Sequence, residues 1–433
     1  MKVLFFLTDR FPFGKGEAFI ENEIEYLEKA FDRIYVLPLG LTVNTKEKRK
    51  LPDSFVVLPP ANTDDLYEKG RPGQLKRMLW SVRYMMGWSV KAVLSKDFRE
   101  EVRRLWRNKA LSLSRIKAVV RALAPVMRNE VHFKKHMRVC DIKDAGEVYV
   151  YSYWINLYAV KVSKCINSRS KVQIKRIVAR AHSHDLYDYR RKSGYIPFKD
   201  KVIDGIDRLY LISKDGFDYI KGTNPQNENK YRLSYLGTRD WLETEMDEKE
   251  AVLKIVSCSY VIPVKRVKMI IDALVKVDKV KVDWTHIGGG QDLERHKEYA
   301  KEVLGGKKNI EYRFTGHIEN KRLMEYYRNN RVDLFINVSE QEGLPVTIME
   351  ALSFGIPVVA TDVGSTKEAI DEGRNGFLLN KEFQTGELAM LIEKFASMTA
   401  KEHNSFRKAS REKWVACFDA RRNYSLFIQD ILE

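Results

Sequence analysis

The stretch Ser339–Ile370, "SEQEGLPVTIMEALSFGIPVVATDVGSTKEAI", follows one largely apolar run, Val332–Val338, and contains another, Pro357–Thr361. Both read as buried strands, because short apolar runs rich in Val and Ile and bounded by turn residues suit a sheet covered on both faces. Between them a loop carries Glu342 and Gly343, Pro345 suits the first helical position, and Glu350 falls in the second helical turn. Strand, helix and strand in that order predict a parallel α/β unit.

The same alternation extends upstream through Val252–Cys258, Val282–Ile287 and Glu311–Phe314. It also opens the chain: Lys2–Leu7 reads as a strand, Glu17–Ala30 as a helix and Arg33–Leu39 as a strand. Glu147–Tyr151, Arg176–Ala181 and Arg208–Ile212 follow as further strands. Between the two series lies the acidic, irregular stretch Leu236–Glu250, "LGTRDWLETEMDEKE", which reads as a linker. The expected architecture is therefore two Rossmann-like, doubly wound domains, 1–238 with a helical insertion at 71–139, and 239–410. In the last segment, 411–433, Trp414, Phe418, Tyr424 and Phe427 are spaced for an amphipathic helix.

Composition supports this. The chain has 433 residues, 44% hydrophobic, with Gly and Pro together only 36, so disordered, collagen-like and low-complexity classes are excluded. The longest apolar runs, such as Val3–Leu7, are far short of a membrane span, and the amino-terminal one is too short for a secretory signal, which predicts a cytoplasmic protein. Cys140, Cys165, Cys258 and Cys417 are far apart without a CxxC pair, against a structural zinc or a disulfide framework.

Charge is unevenly placed. The net charge is +17, of which residues 1–200 hold 40 basic against 22 acidic side chains, whereas 201–433 hold 36 against 37. Arg71–Arg138 alone has 18 basic and 4 acidic residues, or +14, interleaved with Trp80, Tyr84, Met85, Met86, Trp88, Phe98 and Trp106. Two readings compete: a solvated helical face, and attraction to an anionic membrane surface. Nucleic acid is not expected, since neither zinc-finger spacing nor an RRM signature occurs.

Doubly wound sheets bind ligands at the carboxyl ends of their strands. There is no GxxxxGK[ST]; Gly14-Lys15-Gly16 and Gly288-Gly289-Gly290 each follow a strand, but Phe19 and Leu293 fill the places where GxGxxG needs its last glycine. These turns read either as tight βα connections or as close backbone approaches to a phosphate or sugar. The helix start after Glu342 is more informative, because free amides and the positive end of the dipole favour a diphosphate while two carboxylates accept hydrogen bonds from sugar and ribose hydroxyls. The eight-residue gap between Glu342 and Glu350 corresponds to about 12 Å along a helix, beyond the roughly 5–9.5 Å that separates glycosidase carboxylates, so a hydrolytic pair is not expected.

The run from Glu342 to Glu350 resembles the E-x7-E signature of family 4-type retaining glycosyltransferases of the GT-B fold, and "GIPVVATDVGSTKEAI" and "GRNGFLL" continue that pattern. The resemblance covers Val252–Leu379 well and the first domain loosely. It implies two domains facing a cleft, with the last helix returning to the first. It implies that Glu342 contacts the donor sugar, Glu350 the ribose, and the amides of Gly343 and Leu344, ahead of Pro345, the sugar or phosphate. In "SCSYVIPVKRVKMIIDAL" it places Lys265 at the Lys of a diphosphate clamp, while Ser259 stands where the family has Arg, with Arg266 adjacent as a substitute; Gly16 joins the donor-binding set. "RAHSHDLY" resembles the family's strand-terminal H-x-x-D, which puts His182 beside the transferred sugar, with His184 a bystander and Asp185 orienting the turn. No D-x-D occurs, so neither a metal nor another cofactor is expected.

The expected activity is retaining transfer of a sugar from a nucleotide-sugar donor to a glycan or lipid-linked acceptor, in surface polysaccharide biosynthesis. The enzyme would be cytoplasmic and associated with the inner face of the cell membrane through 71–138. A sugar-nucleotide epimerase on the same fold and a non-catalytic membrane-surface binding protein are the alternatives.

Overall fold

The computed structural model describes residues 1–14, 16–40, 48–59, 86–142, 145–169, 172–242 and 250–433. They form two compact units, one of Met1–Ile212, Gly216–Ser234 and Phe427–Glu433, the other of Ser213–Asp215 and Tyr235–Leu426. The division falls at Ser234/Tyr235, just ahead of the acidic stretch, of which 243–249 lie outside the described residues. Gly237 and Thr238 are built into the second unit. A Cβ on Gly237 would lie 2.4 Å from the Ala420 Cα, and the Trp414 indole donates to Thr238 Oγ1 at 2.7 Å.

The first unit carries β1 (Lys2–Thr8), β2 (Arg33–Pro38), β3 (Phe55–Val57), β4 (Glu147–Ser152), β5 (Ile174–Ala181), β6 (Arg208–Leu211) and β7 (Tyr231–Leu233) in a sheet ordered β3-β2-β1-β4-β5-β6-β7. Every pairing is parallel. Helices cover both faces, so β1 is buried from Val3 through Thr8 on both of its sides. One core holds Val3, Phe5 and Leu7; the other, on the opposite face, holds Leu4 and Phe6 together with Phe427, Ile428 and Ile431.

The chain between β3 and β4 is helical at 86–94, Lys96–Arg107 and Leu113–His136; residues 71–85 of the expected insertion lie outside the described residues. This segment is not a detached hairpin. Val119, Leu123 and Phe133 of the third helix are buried in the core of the sheet, and Trp88 and Phe98 pack against it, so their rings are spent on the fold. The expected helix Glu17–Ala30 begins later, with a 3-10 turn at Ala18–Ile20 and an α-helix at Glu21–Ala30, because Glu17 adopts a left-handed conformation.

The second unit carries β8 (Val252–Cys258), β9 (Lys281–Ile287), β10 (Ile310–Phe314), β11 (Leu334–Asn337), β12 (Val358–Thr361) and β13 (Gly376–Leu379), ordered β10-β9-β8-β11-β12-β13 and parallel throughout. Strand order reverses between β8 and β11, so their carboxyl ends frame a crevice, the usual ligand position in such sheets. In the first unit the corresponding reversal is between β1 and β4.

The carboxyl-terminal segment is shared. Arg411–Cys417 complete a helix, Ala400–Cys417, of the second unit, and a further helix, Ala420–Leu432, gives only its last residues to the first. There Asp430 accepts a hydrogen bond from the Tyr210 hydroxyl at 2.6 Å and pairs with Arg208, while its carbonyl accepts from Arg176 at 2.6 Å. Among the described residues no helix is long and apolar enough to cross a membrane.

Candidate functional site

In the second unit the expected residues converge at the switch between β8 and β11. After β8 the chain makes a short turn, Pro263–Lys265, and enters the helix Val267–Val275 through Arg266, whose φ of 50° is left-handed. That conformation, disfavoured for any residue but glycine, turns the two consecutive cations apart. Lys265 Nζ donates to Glu342 Oε1 at 2.6 Å, and Asn337 at the end of β11 donates to the same oxygen at 3.3 Å. Arg266 turns the other way. Its guanidinium donates to the carbonyls of Val338 and Lys381 at 2.7 Å each and of Ser339 at 3.2 Å, and it lies over the Phe383 ring.

Ser259 serves the backbone. Its amide donates to the Ile287 carbonyl at 3.1 Å, and its own carbonyl lies so close to Gly288 that a Cβ there would sit 1.8 Å away. Gly288 and Gly290 both have positive φ and admit the β8 loop against the β9 loop, which accounts for the glycine run by backbone packing.

Glu342 stands in the loop after β11, and the helix it precedes runs Val346–Ser353 with Pro345 as its cap, so the proline sits one position before the expected first helical residue. Backbone amides at such a start lack carbonyl partners one turn back. Those of Gly343, Leu344, Val346 and Thr347 have no hydrogen-bond acceptor among the described residues, while the Gly343 carbonyl accepts from Ser365 at 3.0 Å and fixes the loop. Glu350, one turn into the helix, is buried. Asn320 donates to it at 2.6 Å, and burial pushes its carboxyl up to about 7. The neighbouring Cys258 thiol is pushed up as well, by burial and then by the Glu350 charge.

In the first unit β5 ends at Ala181, and His182 caps the turn Ser183–Leu186. Asp185 accepts from the His182 amide at 2.7 Å and from the Ile155 amide at 2.6 Å, tying the ends of β4 and β5 together; burial raises its carboxyl to about 7. The His182 ring lies among Tyr153, Trp154 and Phe19, with centroids 4.9, 4.4 and 6.1 Å away. Neither of its nitrogens has a hydrogen-bond partner among the described residues, and burial, with Arg180 nearby, lowers its basicity well below the usual imidazole range. It is a neutral imidazole. His184 is partnered by Arg191 instead.

Gly16 is exposed in the loop after β1, with open space where a Cβ would go, and its neighbour Lys15 lies outside the described residues. The residue that organises this loop is Glu17, which sequence reading does not single out. Its carboxylate accepts from the amides of Arg10 and Phe11 at 2.6 and 2.7 Å and of Asp9 at 3.2 Å, and from the Trp154 indole at 2.7 Å. Asn320 is likewise not singled out. An acid following a glycine pair after the first strand is a usable signal for Glu17; nothing in sequence marks Asn320.

Among the described residues no group of three or more His, Cys, Asp or Glu side chains could hold a metal. At β8 and β11 Lys265, Glu342, Glu350 and a row of amides without acceptors among the described residues make up a donor and acceptor set that a diphosphate joined to two polyols would satisfy.

Residues 243–413 match the family Glycosyl transferases group 1. Over 214 residues the chain is 27% identical to the UDP-N-acetylglucosamine–peptide N-acetylglucosaminyltransferase GtfA subunit of Streptococcus agalactiae, covering 46% of this chain and 38% of that one. Over 133 residues it is 32% identical to the lipopolysaccharide 1,6-galactosyltransferase of Escherichia coli K12, covering 30% and 34%. The chain thus spans about a third of the length of the curated relatives it matches. The crystal structure of Anabaena Alr3699/HepE in complex with UDP aligns with a TM-score of 0.60 at 14% identity, covering 100% of this chain and 99% of that one. This likeness gives the fold: both units have the Rossmann-like form of GT-B glycosyltransferase structures.

Proposed function

We propose that this chain is a glycosyltransferase that takes a sugar from a nucleotide-sugar donor held by the second unit and transfers it, with retention, to a glycan or lipid-linked acceptor in surface polysaccharide biosynthesis. The observation that carries this is the arrangement around the β8–β11 switch: Lys265 against Glu342, unpartnered amides from Gly343 to Thr347, and buried Glu350 eight residues on. The match of 243–413 to group 1 glycosyl transferases and the UDP-bound HepE structure support it.

In this reading the amides and Lys265 hold the diphosphate, Glu350 accepts from the ribose and Glu342 from the sugar. As the bond between the anomeric carbon and the diphosphate oxygen breaks, the acceptor oxygen bonds that carbon on the same face, and its proton passes to the departing diphosphate. Lys265 and the helix start oppose the charge that develops there, and fixed donors aimed at developing charge usually do more for the rate than any other single device. Arg266 is left out of the clamp, because its guanidinium is committed to three carbonyls.

The test is a thermal-shift screen of nucleoside diphosphates, since a ligand that binds only the fold raises apparent stability by mass action. A base-selective shift is expected. Uniform indifference to all of them would remove the donor site.

A further inference from the structure

From Met86 to Leu113 the first unit exposes a run of apolar and basic residues. On the helix 86–94, Met86, Val90, Val93 and Leu94 are exposed, Leu94 by 71%. At 100° per residue these four cover one arc of about 100°, and the opposite side carries Trp88 and buried Ala92, which face the core. On the helix Lys96–Arg107 the outward face presents Arg99, Arg103, Trp106 and Arg107, with Trp106 exposed by 68%. The turn that follows exposes Leu111 and Leu113 beside Lys109.

The acidic side chains of this region do not neutralise that face. Between Met86 and Arg138 there are four, Asp97, Glu100, Glu101 and Glu130. Asp97 pairs with Lys161 and Lys201, Glu100 with Lys201, Glu101 with Arg104 and the Tyr195 hydroxyl, and Glu130 with Lys134 and Lys161. Arg99, Arg103, Arg107 and Lys109 have no ion-pair partner among the described residues. The fold has drawn its anions toward Lys134, Lys161, Lys201 and Arg104 and left the outward Arg99, Arg103 and Arg107 uncompensated among the described residues.

We infer that this face, from the Met86–Leu94 stripe to the Leu111–Leu113 turn, docks on an anionic phospholipid bilayer, the cations meeting headgroup phosphates while Trp106, Leu94 and Leu113 enter the interface. Charge alone would suit any polyanion. The interspersed aliphatic side chains select a lipid surface, because a nucleic acid offers phosphates but no apolar layer to receive Val90, Leu94, Leu111 and Leu113. The inference concerns a surface and stands apart from the donor site, so either can fail alone.

The experiment is cosedimentation of the full chain with vesicles of phosphatidylcholine alone or with 30 mol% phosphatidylglycerol, at low and high salt. The mixed vesicles are expected to bind it and the neutral ones far less, and salt should weaken binding, since the attraction is screened over about 8–10 Å at physiological strength. Replacing Arg99, Arg103 and Arg107 together by Gln should lower partitioning by at least about tenfold, each cation near an anionic surface being worth roughly fivefold. Leu111→Ser with Leu113→Ser should remove the binding that survives salt. Both variants should melt with the wild type and keep its response to nucleoside diphosphates. The inference is overturned if the wild type ignores anionic vesicles at low salt, if the arginine variant binds them undiminished, or if duplex DNA displaces the vesicles at equal phosphate.

Discussion

Lys265 Nζ lies 2.6 Å from Glu342 Oε1, although 77 residues separate them in the chain. The pair joins the loop after β8 to the loop after β11, so cation and carboxylate meet where strand order reverses. Its neighbour Arg266, one residue away, faces the backbone instead. The two cations thus have separable roles, and substitution tells them apart.

Lys265→Met is expected to lower transfer on the order of 100-fold, the usual cost of removing one preorganised charge from a transition state. Its pair with Glu342 is mostly buried, so loss of the cation leaves that carboxylate with Asn337 as its donor, and the melting temperature should fall modestly while transfer falls far more. Steady-state rates alongside a thermal melt check both halves.

Arg266→Met should do the reverse. Three carbonyls, two of them on buried Val338 and Ser339, would lose a charged donor, at a cost of at least about 2 kcal/mol. Denaturant titration should show that loss, while nucleoside diphosphate affinity of the folded fraction stays near that of the wild type. A stable Arg266→Met protein that no longer binds the nucleotide would place Arg266 in the clamp.

Glu350 predicts a pH dependence. Its carboxyl is raised from 4.5 to about 7 by burial, so in the fold it binds a proton more tightly than when unfolded. Stability from this group is therefore full below about 4.5 and falls as pH rises to about 7; Glu350→Gln should not lose stability over that window. Only the ionised form accepts from both ribose hydroxyls, so affinity of the wild type should rise through pH 7. Calorimetric titration of Glu350→Gln should instead show weaker binding, by about 1.5–3 kcal/mol at high pH, approaching the wild type in acid.

Glu17→Ala would strip acceptors from three loop amides and from the Trp154 indole that packs on His182. We expect a loss of about 1–3 kcal/mol in stability, and a fall in turnover with donor binding unchanged. Unchanged turnover would make Glu17 a residue of the fold alone.

The β-α alternation is legible in the sequence because parallel strands are buried on both faces and stand out as apolar runs. Three strands are not: β3, β7 and β13 lie at sheet edges, and β3 and β7 bury only one residue each, so no continuous apolar run marks them. Glu342 and Glu350 stand out in the sequence as a local pair about a helix start, Lys265 only through the resemblance, and the Lys265–Glu342 contact follows from strand order. Arg266 reads from sequence as a donor ligand because residue type and position cannot reveal a left-handed φ, which alone sends its side chain to Val338, Ser339 and Lys381. The Glu17–Trp154 contact spans 137 residues and exists because β1 and β4 are neighbours, a fact of topology. The tryptophans show the same limit: Trp88 and Trp106 are equivalent in sequence, yet one faces the core and the other solvent.

The central claim, a nucleotide-sugar site at the β8–β11 switch, is tested most directly by calorimetric titration of the full chain with UDP, GDP, ADP, CDP and TDP. We predict one saturable site selective for one base, weakened at least about tenfold in Glu350→Gln and weakened also in Lys265→Met, and unchanged when Arg99, Arg103 and Arg107 are replaced. A folded wild-type protein that binds none of the five, or that binds one with an affinity indifferent to Glu350 and Lys265, would contradict it.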